Sequence, residues 1–334
     1  MYPFCKRLYI VSALAALLCI GCSSDKYVTM QGYAQGGTFH VIYKLPGGGL
    51  DEKTVNEAIV LALREIDQSL SGYNKSSLLS RLNAGEDLPL DTLFIECFER
   101  SLSVWQESGG AFDPSAAPLF DLWGFGFEYQ GSVSDSAIDS LMEFVGMDKI
   151  SLSRRSDGSC HLVRSDPRIR LNFNAIAQGF SCDIVARRLE SFGCFDYLVE
   201  VGREIVCRGQ SSRGGLWRIG IDKPFDGNFD EGASLQKILE VSDCGVVTSG
   251  NYRKFYVVDG QKYAHTIDPR IGRPVQHNLL SATIIASDAT EADAYATWAM
   301  VVGRETFEQL MSSRPDIRYC LIYDDAGVMK LSDR

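Results

Sequence analysis

Histidine is scarce in this chain, with four in 334 residues, and positive charge is outweighed by negative, giving a formal charge of −10 at pH 7. That balance argues against a nucleic-acid-binding surface. No CxxC occurs. Seven cysteines follow Cys22 (Cys97, Cys160, Cys182, Cys194, Cys207, Cys244 and Cys320), an odd number that sits mostly inside apolar patterns. Such residues read as buried small hydrophobes rather than as a disulfide framework or a zinc site. There is no GxGxxG followed by an acid, no phosphate-loop lysine and no serine or cysteine nucleophile elbow, so dinucleotide-fold, P-loop and hydrolase readings fall away. Beyond the N-terminus no apolar run is long enough to cross a membrane. Internal repeats and low-complexity tracts are also missing. An acidic chain that takes an anionic cofactor needs a metal or local backbone N–H groups to do so.

What is present begins with a leader. Cys5-Lys6-Arg7 gives a basic start, LYIVSALAALLCIGC an apolar run, and Gly21-Cys22 its end. Residues 1–21 form a secretory signal, too short for a spanning helix. Ile20-Gly21-Cys22 followed by Ser23-Ser24-Asp25 resembles a bacterial lipoprotein cleavage site, although Cys19 stands where leucine is usual. Lipidation of Cys22 is the leading reading, plain cleavage and secretion the other. Residues 22–27 are then a polar linker, and 28–334 one folded domain.

The rest, 45% hydrophobic and 23% charged, has an ordinary globular composition. TFHVIYK alternates as a strand. Val55, Ile59, Leu63, Ile66 and Leu70, spaced 4, 4, 3 and 4, predict an amphipathic helix over 52–70. A polar loop, SGYNKSSLLSRLNAGED, leads to a second helix near 93–107. GGAFDPSAAPLFDLWGFGF suits neither a long helix nor a regular strand and reads as a shaped site loop. IRLNF predicts a strand, GFSCDIVARRLESFG a helix, and YLVEVG a strand. LWRIGID, LQKILEVS, YRKFYVV and YAHTID predict successive strands, with Asp259-Gly260 as a hairpin turn. LLSATIIAS is a buried strand feeding the helix that contains EADAYAT. The fold class is α+β, with a helical layer in the first half and a mixed sheet in the second.

Three places carry chemistry. In EADAYAT, Asp293 and Thr297 lie four apart on one helix face. A carboxylate and a hydroxyl so placed can fill two corners around a hard cation such as magnesium. A solvated aspartate beside a threonine bonded to its own helix is the commoner arrangement, and spacing alone favours it. Asp288 and Glu291 make a capping-box-like start that gives Glu291 a structural task. NFNAIAQGFSCD, residues 172–183, is a strand-to-helix turn in which Gly179 permits close backbone approach and carbonyls can face a cation. YAHTIDPRIGRPV offers His265 as a proton acceptor near Asp268; a lone strand histidine is more often structural.

Taken in order, GGTFHVIY, SGYNKSSLLSRLN, GGAFDPSAAPLFDLWGFG, LNFNAIAQGFSCDIVARRL, YLVEVGREI, TSGNYRKF, HTIDPRIGRPV and EADAYAT resemble the ApbE flavin transferases from about Gly36 to Gly303. The resemblance implies a T-fold-related architecture and a periplasm-facing, lipid-anchored enzyme dependent on Mg²⁺. Such an enzyme cleaves FAD and joins FMN to a Ser or Thr of a target protein, releasing AMP. Its targets are flavoprotein subunits of ion-translocating electron-transport complexes. Carried over residue by residue, the resemblance implies Asp293, Thr297 and the Ala175 carbonyl as metal ligands. It implies Gly36, Tyr73, Ala111, Phe112, Asp113, Asn172, Gln178, Ala264 and His265 near FAD. His265 is the implied base, with Asp268 orienting it, and Trp123 and Phe125 shape an apolar wall near the flavin. Three positions depart from the family pattern: Gly36-Gly37-Thr38 replaces Met-Gly-Thr, Arg203 replaces a glycine, and Gln178 stands where lysine or glutamate is common. An FAD pyrophosphatase and a non-catalytic FAD-binding lipoprotein are the alternatives.

Overall fold

The computed structural model describes residues 26–126, 133–225, 232–251, 255–258, 261–264 and 266–334. Its frame is one eight-stranded sheet. In spatial order the strands are Lys26–Ala34, Gly37–Leu45, Tyr197–Val201, Glu204–Arg208, Cys244–Gly250, Leu279–Ala286, Arg318–Asp325 and Val328–Asp333. Spatial order follows chain order, and each neighbour pairs antiparallel. The α+β class holds, while the mixed sheet expected from sequence is an antiparallel one drawn from both halves of the chain. The first strand begins at Lys26, so the fold starts slightly before Val28. The leader and Cys22 lie outside the described residues.

Strand side chains alternate between faces, and here both faces are covered. Phe39, Val41, Tyr43, Val199, Val247, Ile284 and Leu321 point into the main core. That core also takes the buried sides of helices Glu52–Leu70, Thr92–Glu107, Ala177–Ser191 and Ala289–Val302. Their neighbours Leu198, Val246, Ile285 and Ile322 point the other way, against Trp217, Ile219, Ile221, Leu239 and Val241 of a separate two-stranded sheet. The helix over 52–70 forms as its spacing predicts, with Asp51 capping its start. Ala289–Val302 is buried almost all round, which its alanines make sterically feasible.

Two glycines set how closely that helix packs. A Cβ on Gly179 would lie 2.2 Å from the Ala289 carbonyl oxygen, and one on Gly245 would lie 2.3 Å from the Asp288 carbonyl. The N-terminus of Ala289–Val302 is thus gripped between the Ala177–Ser191 helix and a central strand.

Several local expectations differ. IRLNF is not a strand: the Asn83 side chain satisfies its backbone instead, donating from Nδ2 to the Leu171 carbonyl (2.8 Å) and accepting from the Leu171 N–H (2.9 Å). The Asn172 N–H goes to the Pro114 carbonyl (2.8 Å). An amide side chain here does the work of a neighbouring strand. The polar loop after Leu70 contains the short helix Leu78–Asn83, capped by Ser77. YAHTID divides between two small hairpins, Gln261–Ala264 pairing with Phe255–Val258 and Ile267–Asp268 with Arg273–Pro274. The Asp259-Gly260 turn lies outside the described residues. The hairpin of Ile150–Arg154 with Cys160–Arg164, the helix Arg304–Met311 and the last two strands were not anticipated.

Because both backbone groups of Leu171 depend on one side chain, Asn83→Ala should destabilise the protein by roughly 2 kcal/mol or more. Urea unfolding with an unchanged slope would show it. A loss below about 0.5 kcal/mol would mean that water replaces the amide freely.

Candidate functional site

The chain turns at residues 174–176 and enters the Ala177–Ser191 helix. The Phe173 carbonyl accepts from the Ile176 and Ala177 N–H groups, at 3.0 and 2.8 Å. In a regular helix the Gly179 N–H would bond back to the Ala175 carbonyl. It donates instead to Asp293 Oδ2 at 3.0 Å, across to the other helix. The Ala175 carbonyl therefore has no hydrogen-bond donor among the described residues. Asp293 is held at the turn that contains this free oxygen, and Thr297, half-buried, follows one turn along the same face.

Carbonyl, carboxylate and hydroxyl are all hard oxygen donors, the kind magnesium takes. Among the described residues no group of three or more His, Cys, Asp or Glu could hold a metal. A cation here would rely on this mixed set, with a single carboxylate. Burial pushes Asp293 up to about 7, assisted by the charge of Asp183 and opposed by the Gly179 N–H. A buried carboxylate under that penalty, beside a carbonyl without a donor, fits a bound cation.

Two further carboxylates stand behind it, and neither was singled out from sequence. Asp183 accepts from the Ala289 and Thr290 N–H groups (3.0 and 2.8 Å) and from the Thr290 hydroxyl, so it caps the start of the Ala289–Val302 helix. Burial and the charge of Asp288 raise it to about 6, against the hydrogen bonds from Thr290 and Ala289. Asp288 caps the Glu291 N–H at 2.7 Å and pairs with Arg100 through both oxygens, as its sequence position suggested in part. Glu204 is the other. Its Oε2 is enclosed with no hydrogen-bond partner among the described residues. Burial first, then the Asp293 charge, holds it well above the ordinary carboxylate range. Gln35 Nε2 is enclosed in the same way, while its Oε1 accepts from Ser181. Asp183 follows Gly179 by one helical turn, a spacing that could have flagged it; Glu204 gave no such signal.

Other residues named from sequence cluster around the turn. Asn174 Nδ2 donates to the hydroxyl of exposed Tyr73 at 3.3 Å, and Asn172 Oδ1 accepts from the Asn174 N–H at 2.8 Å. Gln178 lies against Gly202, where a Cβ would come within 2.0 Å of its Nε2. Gly37 approaches the Gly202 Cα in turn, so the turn carrying Gly36 sits beside Gln178. Gly36 itself has φ +76° and open space around it, and Arg203 adopts φ +91°, a strained value for a side-chain-bearing residue that explains why glycine suits this position. A cleft of about 440 Å³ opens nearby, lined by Gly72, Lys75, Asn83, Ala117, Asp121 and Arg170 among others. A larger groove of about 790 Å³ lies between the first strand and the Glu52–Leu70 helix and touches none of these residues. The smaller one includes Gly72, next to Tyr73 in the chain, and Asn83, which holds Leu171, although Ala175, Asp293 and Thr297 line neither.

Some residues are placed differently from their expected roles. Ala111 and Phe112 are buried in the core. Asp113 accepts from the Ser115 N–H and hydroxyl and from Trp105 Nε1, and burial raises it to about 6. Its carboxylate is spent on shaping the loop. Asp268 takes the Arg270 guanidinium through both oxygens, at 2.9 and 2.8 Å, so its observed partner is Arg270. His265 lies outside the described residues, as does the Ala264 side chain, although the Ala264 backbone ends a strand. Trp123 donates from Nε1 to the Gly272 carbonyl (2.9 Å) and, with Phe125, packs on Ala116, Leu119, Val145 and Ile267. These aromatics fasten the site loop to the Ile267–Asp268 hairpin.

A carboxyl raised on folding binds more protons folded than unfolded between about pH 4 and its folded value, so its contribution to stability falls across that window. Without metal, Asp293→Asn, which can still accept from Gly179, should grow more stable relative to the parent as pH rises from about 4 through about 7. The difference should reach a few kcal/mol, on the order of 1.4 kcal/mol for each pH decade crossed. Thermal unfolding in chelator measures it, and a pH-independent difference would show that burial does not penalise the Asp293 charge.

The ApbE family model matches residues 34–321. The FAD:protein FMN transferase of Escherichia coli K12 is 33% identical over 310 residues, covering 89% of this chain and 87% of that protein. The protein of the same name from Vibrio cholerae is 32% identical over 305 residues, covering 90% and 89%. Among solved structures, the flavin transferase ApbE from Vibrio cholerae superposes with a TM-score of 0.81 at 30% identity, over 92% of this chain and 97% of that one. The apo form of the Pseudomonas stutzeri flavinyl transferase ApbE gives 0.81 at 30% identity, over 92% and 95%. With its sheet, its glycine-gripped helix and its Asp293 turn, the chain belongs to the ApbE family.

Proposed function

We propose that this protein transfers the FMN portion of FAD to a Ser or Thr hydroxyl of a target protein, with AMP as the leaving group. The names of its relatives support flavin transfer. The observation that carries the chemistry is the diversion of the Gly179 N–H to Asp293, which leaves the Ala175 carbonyl open beside a buried carboxylate. Asp293, Thr297 and Ala175 would hold Mg²⁺, which when bound supplies charge neutralisation for a pyrophosphate. Tyr73, Asn172 and Gln178 surround the same turn and would orient FAD. His265 is the proposed acceptor of the target hydroxyl's proton. The segment directly after it is anchored, since Thr266 donates to Asn251 Oδ1 (2.6 Å) and Asp268 is locked to Arg270.

The N-terminal residues support a location for this activity. A leader over 1–21 and lipidation at Cys22 would put the protein on a bacterial membrane facing the periplasm. Three residues separate Cys22 from the first strand at Lys26, a reach of roughly 14 Å at full extension. Target subunits of ion-translocating electron-transport complexes share that surface.

The form beginning after Cys22, given FAD, Mg²⁺ and a Thr-containing flavoprotein fragment, should add FMN to the fragment by mass spectrometry and release AMP. Chelator or Asp293→Ala should reduce both to background, and full activity of that variant would refute the metal assignment. His265→Ala should slow transfer by roughly a hundredfold or more while FAD affinity changes much less; equal losses would remove its role as base. AMP without labelling would mean hydrolysis, and bound but intact FAD a carrier.

A further inference from the structure

Cys207 and Cys244 are direct partners at the end of the pairing between Glu204–Arg208 and Cys244–Gly250. Residues directly opposed in an antiparallel pair project to the same face, and both side chains lie in the cluster beneath Trp217 and Val241. Both thiols are free, and the Cys207 thiol donates to the Val241 carbonyl (3.9 Å) at the base of the same cluster. In either kind of antiparallel pair the Cα atoms stand about 4.5 or about 5.5 Å apart. Both separations fall within the range a disulfide bridges without backbone movement. Neither of the other two strand cysteines opposes a cysteine: Cys160 faces Arg154, and Cys320 faces Thr283 and Asp333.

We propose that Cys207 and Cys244 form an intramolecular disulfide when a disulfide donor of the oxidised-glutathione class is present. The Cys244 thiolate attacks one donor sulfur and expels the other as a thiolate. The Cys207 thiolate then attacks the Cys244 sulfur of the mixed disulfide and expels the second donor thiolate. Two electrons pass to the donor, which leaves as two thiols carrying the two cysteine protons. Cys244, the more accessible of the two, is the entry point.

The bond would close residues 208–243 into a covalent loop. That loop carries the sheet of Trp217–Asp222 with Leu235–Val241, which covers the main sheet on the side away from the helices. Hydrogen bonds already draw its ends together: Ser242 Oγ donates to the Gly209 carbonyl (2.7 Å) and Trp217 Nε1 to the Arg208 carbonyl (2.9 Å). Oxidation would fasten this cover at its base. An exported chain meets a compartment where such a bond persists.

The full chain, expressed with its own leader, is quenched in acid, denatured and alkylated, then digested for mass spectrometry. In a second arm the reduced, folded protein is incubated with oxidised glutathione before the same treatment. The expected result is a linked Cys207–Cys244 peptide, lighter by two hydrogens, with Cys97, Cys160, Cys182, Cys194 and Cys320 alkylated. The melting temperature should drop on adding reductant, and this drop should vanish in Cys207→Ala and Cys244→Ala. A linked peptide only in the glutathione arm still supports the proposal. Alkylation of all seven cysteines in both arms, or linkage of any other pair, would overturn it.

Discussion

One hydrogen bond sits where most of the structure meets, that from the Gly179 amide to Asp293. It exists because Gly179 has no side chain to keep the Ala289 carbonyl at a distance. Close contact lets two helices share a bond that each would otherwise keep within itself. The exchange leaves one helix with an open carbonyl and gives the other a fixed carboxylate. Gly245 presses the same helix terminus from the sheet, and Asp183 seals its first amides. The oxygen cluster is therefore a product of packing at three elements, and rigid for that reason.

Concentrated negative charge is the other face of this arrangement. Burial raises the proton affinity of Asp183, Asp293 and Glu204, and a neighbouring charge adds to it at each: Asp288 at Asp183, Asp183 at Asp293, and Asp293 at Glu204. An apolar core would be more stable there. A cation is the kind of group that would offset such a cluster, whereas an anionic phosphate alone would be repelled by it. Glu204 Oε2 and Gln35 Nε2 are enclosed in the same region and have no hydrogen-bond partner among the described residues, an uncommon state for buried polar atoms.

Much of this was legible in sequence where the signal is local. The 3.6-residue periodicity of Val55, Ile59, Leu63 and Ile66 predicted its helix, and Asp293 with Thr297 could be put on one face by counting. Counting could not say what that pair packs against, because Asp293 takes its hydrogen bond from a residue 114 positions away. The IRLNF segment failed for a related reason: it has strand composition, but its partner is an asparagine side chain 88 residues upstream. Glu204 reads as one more polar residue in a strand until the fold encloses it. Antiparallel pairing was likewise hidden, since the Gly37–Leu45 and Tyr197–Val201 strands meet across the whole helical segment.

That last pairing has a kinetic side. From Tyr197 onward most neighbours in the sheet are joined by short or moderate connections, so this portion can assemble from contacts that are close in sequence. The first two strands form a hairpin on their own but join the sheet only after residues 46–196 have been brought into a compact shape, which costs chain entropy before any contact rewards it. Docking of the N-terminal hairpin should then be a late event in folding. Until it occurs, the Tyr197–Val201 strand has an open edge, the state in which a newly made chain is most prone to pair with a neighbour.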